Sequence, residues 1–444
     1  MESSRNNTKA RLTQVTIHGL YGSDQPICLG FAGSTPSNDP VTILYGDNGS
    51  GKTTILKLLY AALSPEDNAG HRGFLGRAHF QKIAIEFEGA QRIEIHKSEE
   101  KSYEYRFLGG AEDFTATVHM SENSIAPRSL NPSTDKIVAA LNAIAPPMII
   151  VSDYRTIKSS QQPWDLNISI REIRQEIEWE RRNRSNSYAN DAEIEVLSTA
   201  ALERLIAIAQ RNLLSSAMSS NARANTEASQ IYLQITQTIA DPKFGENNNK
   251  IVGEKQKLMN RLAGVASQAE SQARFGLMDS TNLGPMIDQL AQTDNANALS
   301  ALIPILKPYV ASLEQRLEAN AELTLVLQTF SDKLNSFFRR KSVNLHLRNL
   351  FEIRNSASDR VDVGMLSSGE RHLLSLFTVA LLSRDTDSLV LIDEPEISLN
   401  YIWQRNIIQS LLDISSHRTH FVVASHSFEV ISSYRKNVVN ISDY

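Results

Sequence analysis

The chain has 444 residues, room for up to three domains of about 150 residues and for at least one large core. Lys and Arg total 45 against 50 Asp and Glu, a formal net charge of −5, which argues against a globally basic nucleic-acid binder and leaves only local basic patches to consider. Apolar residues at 41% and charged residues at 21% exclude disordered, collagen-like and membrane-type compositions. A lone cysteine, Cys28, excludes an internal disulfide and any multi-cysteine zinc or iron–sulfur site, and it points to a reducing compartment. The opening MESSRNNTKARLTQ lacks the apolar segment of a leader, and the sequence shows no run of about 18 apolar residues, so it reads as cytoplasmic with no membrane partner.

From Arg11 to about Ile157 the pattern is mostly short strands. Leu12, Val15 and Ile17 open it, a turn at Gly19 to Gly22 follows, and Ile27 to Phe31 is a second apolar run. After the loop GSTPSNDP comes the continuous apolar run Val41 to Tyr45, which suits a buried parallel strand, then a glycine-rich turn and a helix over Thr54 to Leu63. Ile83, Ile85 and Phe87, then Ile93 and Ile95, then Tyr103, Tyr105 and Phe107 alternate with polar residues, the mark of an antiparallel meander with one wet face.

Between about Gln162 and Lys341 the apolar spacing changes from two to three and four. Leu202, Leu205, Ile206, Ala209 and Leu213 form one helical stripe, and Leu313, Leu317, Leu327, Phe330, Leu334 and Phe337 form another with Asn320 inside it. Breaks at DPKFGENNNK and at Pro304 and Pro308 argue for a compact helical insertion rather than a long coiled-coil arm. Strand patterns return at Val343, Leu345 and Leu347 and at Val361 and Val363. A helix from Glu370, the strand Leu389 to Ile392, a helix over Tyr401 to Ile414 and a buried strand Phe421 to Ala424 follow. The expected organisation is a strand-rich first half of a head over 1–160, an all-α insertion over 161–341 for assembly and partner docking, and the second half of the head over 342–444.

Three segments carry chemistry. Gly46, Asp47, Asn48, Gly49, Ser50, Gly51, Lys52 and Thr53 fit G-x-x-x-x-G-K-[ST] between an apolar strand and an amphipathic helix beginning at Thr54. Such a loop cradles phosphates with backbone N–H groups, its lysine reaches the β- and γ-phosphates, and its threonine hydroxyl ligates Mg²⁺. Leu389 to Ile392 ends in Asp393 and Glu394, at the carboxyl end of a strand where α/β sheets hold ligands. Asp393 is the candidate anchor for hydrated Mg²⁺, and Glu394 the candidate to orient and polarise the attacking water. Leu366-Ser367-Ser368-Gly369-Glu370 has the residue types of a helix N-cap.

In this order, GDNGSGKT, LSSGE, LIDEPEISLN and ASHS resemble an ABC-type P-loop ATPase head, an α/β fold with a mixed sheet, an antiparallel strand subdomain and a helical insertion. GDNGSGKT, LSSGE and DEPE-x-SL are similar to the soluble SMC, RecF and OLD-like branch, whereas transporter subunits carry DEPT-x-A-L-D. The resemblance covers roughly residues 11–157 and 343–444. It implies that ATP is sandwiched between two protomers, with Ser367 and Gly369, flanked by Ser368 and Glu370, contacting the γ-phosphate of the nucleotide held by the other. Ser368 stands at the first-glycine position of the transporter signature. It also implies that His426 is a switch histidine at the γ-phosphate, and that Asn400 falls at the D-loop aspartate of transporters. Candidate catalytic residues are therefore Lys52, Glu394 and His426; Gly46 to Thr54 and Ser367 to Glu370 are candidate nucleotide contacts, and Thr53 and Asp393 candidate metal ligands. Gln161 and Gln162 are candidates for the Q-loop glutamine, and Tyr154-Arg155 for a phosphate or partner contact, against ordinary linker and surface roles. Arg181, Arg182 and Arg184, with Arg339, Arg340 and Lys341, are basic clusters that read as solvated faces and are the first places to test for DNA.

The expected cofactors are ATP and Mg²⁺, and the expected activity is ATP hydrolysis coupled to homodimerisation. The chain is similar to the ATPase components of antiphage systems such as PARIS or Septu. OLD-family chains carry a nuclease domain after the head, and only 18 residues follow His426, so the resemblance implies a separate effector polypeptide, a nuclease. The alternative is a RecF-like or SMC-like DNA-binding repair ATPase without an effector, which predicts steeply salt-dependent duplex binding.

Overall fold

The computed structural model describes residues 10–31, 39–66, 70–99, 102–110, 112–121, 124–125, 131, 133–153, 156–161, 199–220, 236–237, 240, 251–279, 282–348 and 350–441. Tyr154, Arg155, Gln162, the Arg181–Arg184 cluster, the break at 241–250 and most of the loop expected at 33–40 lie outside them. The chain divides into two compact units, one of residues 1–205 and 363–444 and one of residues 206–362.

The first unit begins with β1 (Leu12–His18), β2 (Ile27–Gly30), β3 (Val41–Tyr45), α1 (Lys52–Leu63), α2 (His71–Arg77), β4 (Lys82–Phe87), β5 (Arg92–Glu99), β6 (Ser102–Leu108), β7 (Phe114–Ser121), β8 (Ser124–Ile125), α3 (Thr134–Ile144), β9 (Met148–Val151) and β10 (Ile157–Ser160). Helix α4 (199–220) follows, then α5 (Ile251–Arg274), α6 (Gly284–Gln292), α7 (Ala296–Ala319), α8 (Ala321–Phe337), β11 (Lys341–His346) and β12 (Leu350–Asn355). The chain ends its described course with α9 (Ser368–Ser383), β13 (Leu389–Asp393), α10 (Tyr401–Ile414), β14 (His420–Ser425), α11 (Phe428–Ile431) and β15 (Val438–Asn440).

Two sheets organise the first unit. One is antiparallel in the order β2-β1-β4-β5-β6-β7-β8, and its alternating residues, such as buried Tyr103, Tyr105 and Phe107, put one face on the core. The other runs β10-β9-β13-β14-β3-β15, with β9, β13, β14, β3 and β15 parallel and β10 antiparallel at the edge. Its central strands are buried along their length, which is why they read as continuous apolar runs rather than as alternation. The register sets Asp393 opposite Ala424 and Ser425 opposite Tyr45, so β13, β14 and β3 end side by side. The sequence places β3 and β14 far apart, and their pairing makes the two ends of the head one sheet.

The second unit is built on α5 and α7, whose facing stripes include Leu258, Leu262 and Val265 on one side and Ile303, Val310 and Leu313 on the other. Pro304 and Pro308 were expected to break a helix here, yet both lie inside the 24-residue α7. Each ring removes one backbone donor, and burial of Leu299, Ile303, Val310, Leu313 and Leu317 offsets that loss. By length and composition α7 is apolar enough to cross a membrane, which the sequence reading did not single out, but its apolar stripe is packed in this core. The stripe from Leu313 to Phe337 is not one helix: buried Asn320 interrupts it with φ −104° and ψ 0°, ending α7 and opening α8. Asn335 on α8 pairs its amide with both backbone groups of Val343, tying the β11–β12 hairpin to the helix. The strand expected at Val361 and Val363 is instead a backbone bridge at Arg360 and a short 3₁₀ turn, because β12 takes the pairing positions opposite β11.

Candidate active site

The loop between β3 and α1 is shaped by its glycines. Gly49 and Gly51 sit at φ +87° and +95°, a region open to glycine and strained for other residues. Gly51 caps α1, and Lys52 opens it. The Lys52 side chain is buried, and its Nζ donates to the carbonyls of Gly46 at 2.7 Å and Asp47 at 2.9 Å. The ammonium thus lies within the arc of the loop. Ser50 Oγ is buried without a hydrogen-bond partner. Asp47, Asn48 and Gly49 form the exposed rim, and Thr54 Oγ1 meets the hydroxyl of Tyr21 at 2.6 Å.

Asp393 ends β13 at 2% exposure. Burial raises its pKa, opposed by a hydrogen bond with the Thr53 side chain and by the nearby Lys57 and Lys52 charges. Its Oδ1 has no hydrogen-bond partner. A buried carboxylate oxygen left open beside a hydroxyl is an all-oxygen donor set suited to a hard, hydrated divalent cation, so the residues present fit Mg²⁺.

Glu394 follows with φ +51°, an uncommon conformation for a side-chain-bearing residue, fixed by a backbone bond from its N–H to Ala424 O at 2.8 Å. This bend carries the carboxylate towards the Gly46–Thr53 loop, where Oε1 lies 3.8 Å from Lys52 Nζ, while Oε2 is hydrogen-bonded to His426 Nδ1. Burial pushes the Glu394 pKa up to about 7, the Glu396 carboxylate adds to the rise, and His426 opposes it. A carboxylate so placed is poised as a base near neutral pH.

His426, half-exposed just after β14, is held by a residue the sequence reading quoted without assigning a role. Glu396, 4% exposed, accepts at Oε1 from the Ser425 hydroxyl, from His426 N–H at 3.0 Å and from Ser427 N–H at 3.2 Å. The same oxygen lies 3.4 Å from His426 Nδ1. The signal was the second glutamate of DEPE, which the strand pattern could not distinguish from a surface acid. Tyr21 was also missed. It follows β1 at φ +54°, is exposed, and reaches Thr54 and the face of Gly51, where a Cβ would lie 3.0 Å from its ring.

Ser367, Ser368, Gly369 and Glu370 open α9 as a complete capping box: Ser367 Oγ accepts from Glu370 N–H, and Glu370 accepts from Ser367 N–H at 2.8 Å. Ser367 and Ser368 are exposed. Gly369 is there for space, since a Cβ would lie 2.5 Å from Ser398 O. That contact seats the start of α9 on the turn that follows Glu396. Asn400 caps α10, accepting from Trp403 N–H at 3.1 Å. Gln161 donates to Leu141 O at 3.3 Å, which engages it with the end of α3. Arg339 and Arg340 are exposed just before β11, in the second unit.

The family described as "AAA domain, putative AbiEii toxin, Type IV TA system" matches residues 41–432, from β3 through α11. The chain belongs to this AAA family. No curated protein matches the chain. Among solved structures, the AAA chain is similar to the Smc head domain with an extended coiled coil bound to the C-terminal domain of ScpA from Pyrococcus furiosus, at 15% identity over 95% of this chain and 91% of that one, with a TM-score of 0.36. It is also similar to the SMC head domain from Thermotoga maritima, at 12% identity over 95% and 92% of the two chains, with a TM-score of 0.34. The α/β class and the P-loop ATPase head architecture expected from the sequence hold for this AAA protein: a mixed sheet bearing the phosphate loop, an antiparallel sheet and a set of helices.

Proposed function

We propose that this AAA protein hydrolyses ATP to ADP and phosphate with Mg²⁺, and that it serves as the sensor ATPase of a bacterial antiphage system controlling a separate effector, a nuclease. The observation that carries the catalytic part is the convergence of Glu394, Lys52 and His426 at the ends of three neighbouring strands, with Glu394 Oε1 3.8 Å from Lys52 Nζ. In this reading the backbone and side chains from Gly46 to Thr54 hold the phosphates, and Lys52 exchanges its loop carbonyls for phosphate oxygens. Thr53 and Asp393 hold the cation, which supplies charge compensation on the phosphates when bound. Glu394 takes a proton from water, and His426, fixed by Glu396, orients Glu394 and meets the terminal phosphate. Exposed Tyr21 offers its ring to the base.

Ser367 to Glu370 lie on an exposed helix start, which supports the expectation that they meet a nucleotide held by a second copy, making the active form a homodimer or higher oligomer. The family description, with its AbiEii toxin and Type IV TA system, supports a part in a multi-component system.

Two variants test the engine. Lys52→Ala is expected to lose nucleotide binding, and Glu394→Gln to bind ATP while turning it over at least about a hundredfold more slowly; unchanged turnover in Glu394→Gln overturns the role of that residue. For the wider role, the Glu394→Gln protein is recovered from its own host with ATP and Mg²⁺, and its native mass is measured before and after nuclease digestion. A second polypeptide retained after digestion is expected. A bare dimer whose extra mass disappears with DNA replaces the sensor reading with the DNA-repair one.

A further inference from the structure

One to two turns along α1 from Lys52, a cavity of about 290 Å³ opens between α1, α2 and the β9–β10 hairpin. Its walls combine two chemistries. Tyr60, Phe74 and Ile150 supply apolar and aromatic surface, while Lys57 and Lys158 bring two ammonium groups against the single carboxylate of Asp153. Ser152 and Thr156, also in the wall, satisfy each other through their hydroxyls at 2.7 Å.

His71 is the unusual member. It is 8% exposed, its ring stands edge-on to Tyr60 at 5.0 Å, and its Nε2 has no hydrogen-bond partner. Burial, with help from the Lys158 and Arg72 charges, holds the imidazole pKa down to about 4, so at neutral pH the ring is uncharged. The cavity thus joins a neutral imidazole, two lysines and an aromatic wall in a concavity near the lower end of small-molecule pocket volumes.

We propose that this cavity binds a small organic anion with an aromatic body, its phosphate or carboxylate held by Lys57 and Lys158 and its body seated against the wall that His71 shares with Tyr60 and Phe74. The ammonium groups select the anionic head through charge-assisted hydrogen bonds. Tyr60 and Phe74 select the aromatic body. Lys57 and Asp153 are near enough to Asp393 for its carboxyl to feel their charges, so the cavity adjoins the candidate cation site, but the binding proposed for it does not depend on the ATPase reading.

The test uses the full chain carrying Lys52→Ala, so that anions have lost the loop lysine, with ¹³C-labelled histidine and no nucleotide. The His71 signal is assigned from the one missing in His71→Gln. Phenyl phosphate, benzoate and neutral phenol are titrated separately. A saturable shift of the His71 signal is expected with phenyl phosphate, benzoate or both, and none with phenol at the same concentrations. A response to one anion alone identifies the head group. Because Lys57 and Lys158 are exposed, Lys57→Ala and Lys158→Ala leave the core intact, and each is expected to weaken binding by about tenfold or more, the value of one charge-assisted hydrogen bond. No saturation with either anion by about 20 mM, an equal response to phenol, or unchanged affinity in both lysine variants overturns the proposal.

Discussion

The carboxylate of Glu396 accepts the backbone N–H of His426 at 3.0 Å. With its bonds from Ser425 and Ser427, this makes one oxygen of a loop after β13 the anchor for the whole segment after β14. Losing it leaves three donors to find new partners and frees His426 to leave Glu394. Glu396→Ala is therefore expected to slow ATP turnover at least about tenfold, of the order of one lost positioning contact, with nucleotide affinity little changed. Glu396→Gln keeps an acceptor oxygen and should retain most of the turnover. Equal loss in both variants would remove the anchoring role.

The like charge of Glu396 also raises the Glu394 pKa, second to burial. A base must be unprotonated to act, so turnover should rise with pH through a limb near 7, the folded value of Glu394. In Glu396→Gln that limb should move to lower pH. A pH profile of kcat checks both, and a limb that stays in place in the variant contradicts the coupling.

Gly369 makes a further prediction. A methyl group there meets Ser398 O at 2.5 Å, and Ser398 itself is held at φ +66°, which limits how far the turn can yield. Gly369→Ala should destabilise the first unit by about 1–3 kcal/mol, the usual cost of an overpacked contact, read as a lower denaturation midpoint.

Acid should weaken the central sheet through His420. Burial lowers its pKa to about 3 from the ordinary 6.5, and Thr42 bonds its ring at 2.9 Å. Between those values the unfolded chain carries the extra proton. The His420 contribution is thus fully present above about pH 6.5 and is lost as pH falls towards 3, by up to about 1.4 kcal/mol per pH unit. His420→Gln should flatten the acid limb of a stability curve measured by chemical denaturation.

Much of this was legible in the sequence because the site rests on strong local signals. The runs 41–45 and 389–393 are too apolar and too short to be anything but buried strands, and the helix 401–414 shows a clean apolar stripe. What was not legible depended on partners distant in sequence. Glu396 has its role only because β14 brings Ser425 to Ser427 beside it, and Tyr21 because the turn after β1 reaches α1. Asn320 ends a helix without the glycine or proline that usually signals an end, and the prolines of α7 signal an end that packing overrides. The open nitrogen of His71 has no sequence signature at all, since it is defined by what surrounds it.

The pairing of β3 with β14 carries a consequence for how the protein is made. Val41 is opposite Phe421, so a ribosome adding about 5–20 residues per second finishes β3 and the Gly46–Thr53 loop roughly 20–75 s before the neighbouring strand exists. For that interval both edges of β3 lack their mates, since β15 is made after β14, and for nearly all of it Asp393, Glu394 and His426 have not been synthesised. The nascent chain acquires Lys52 early and Glu394 and His426 last, so the constellation proposed for hydrolysis cannot assemble until translation is nearly over.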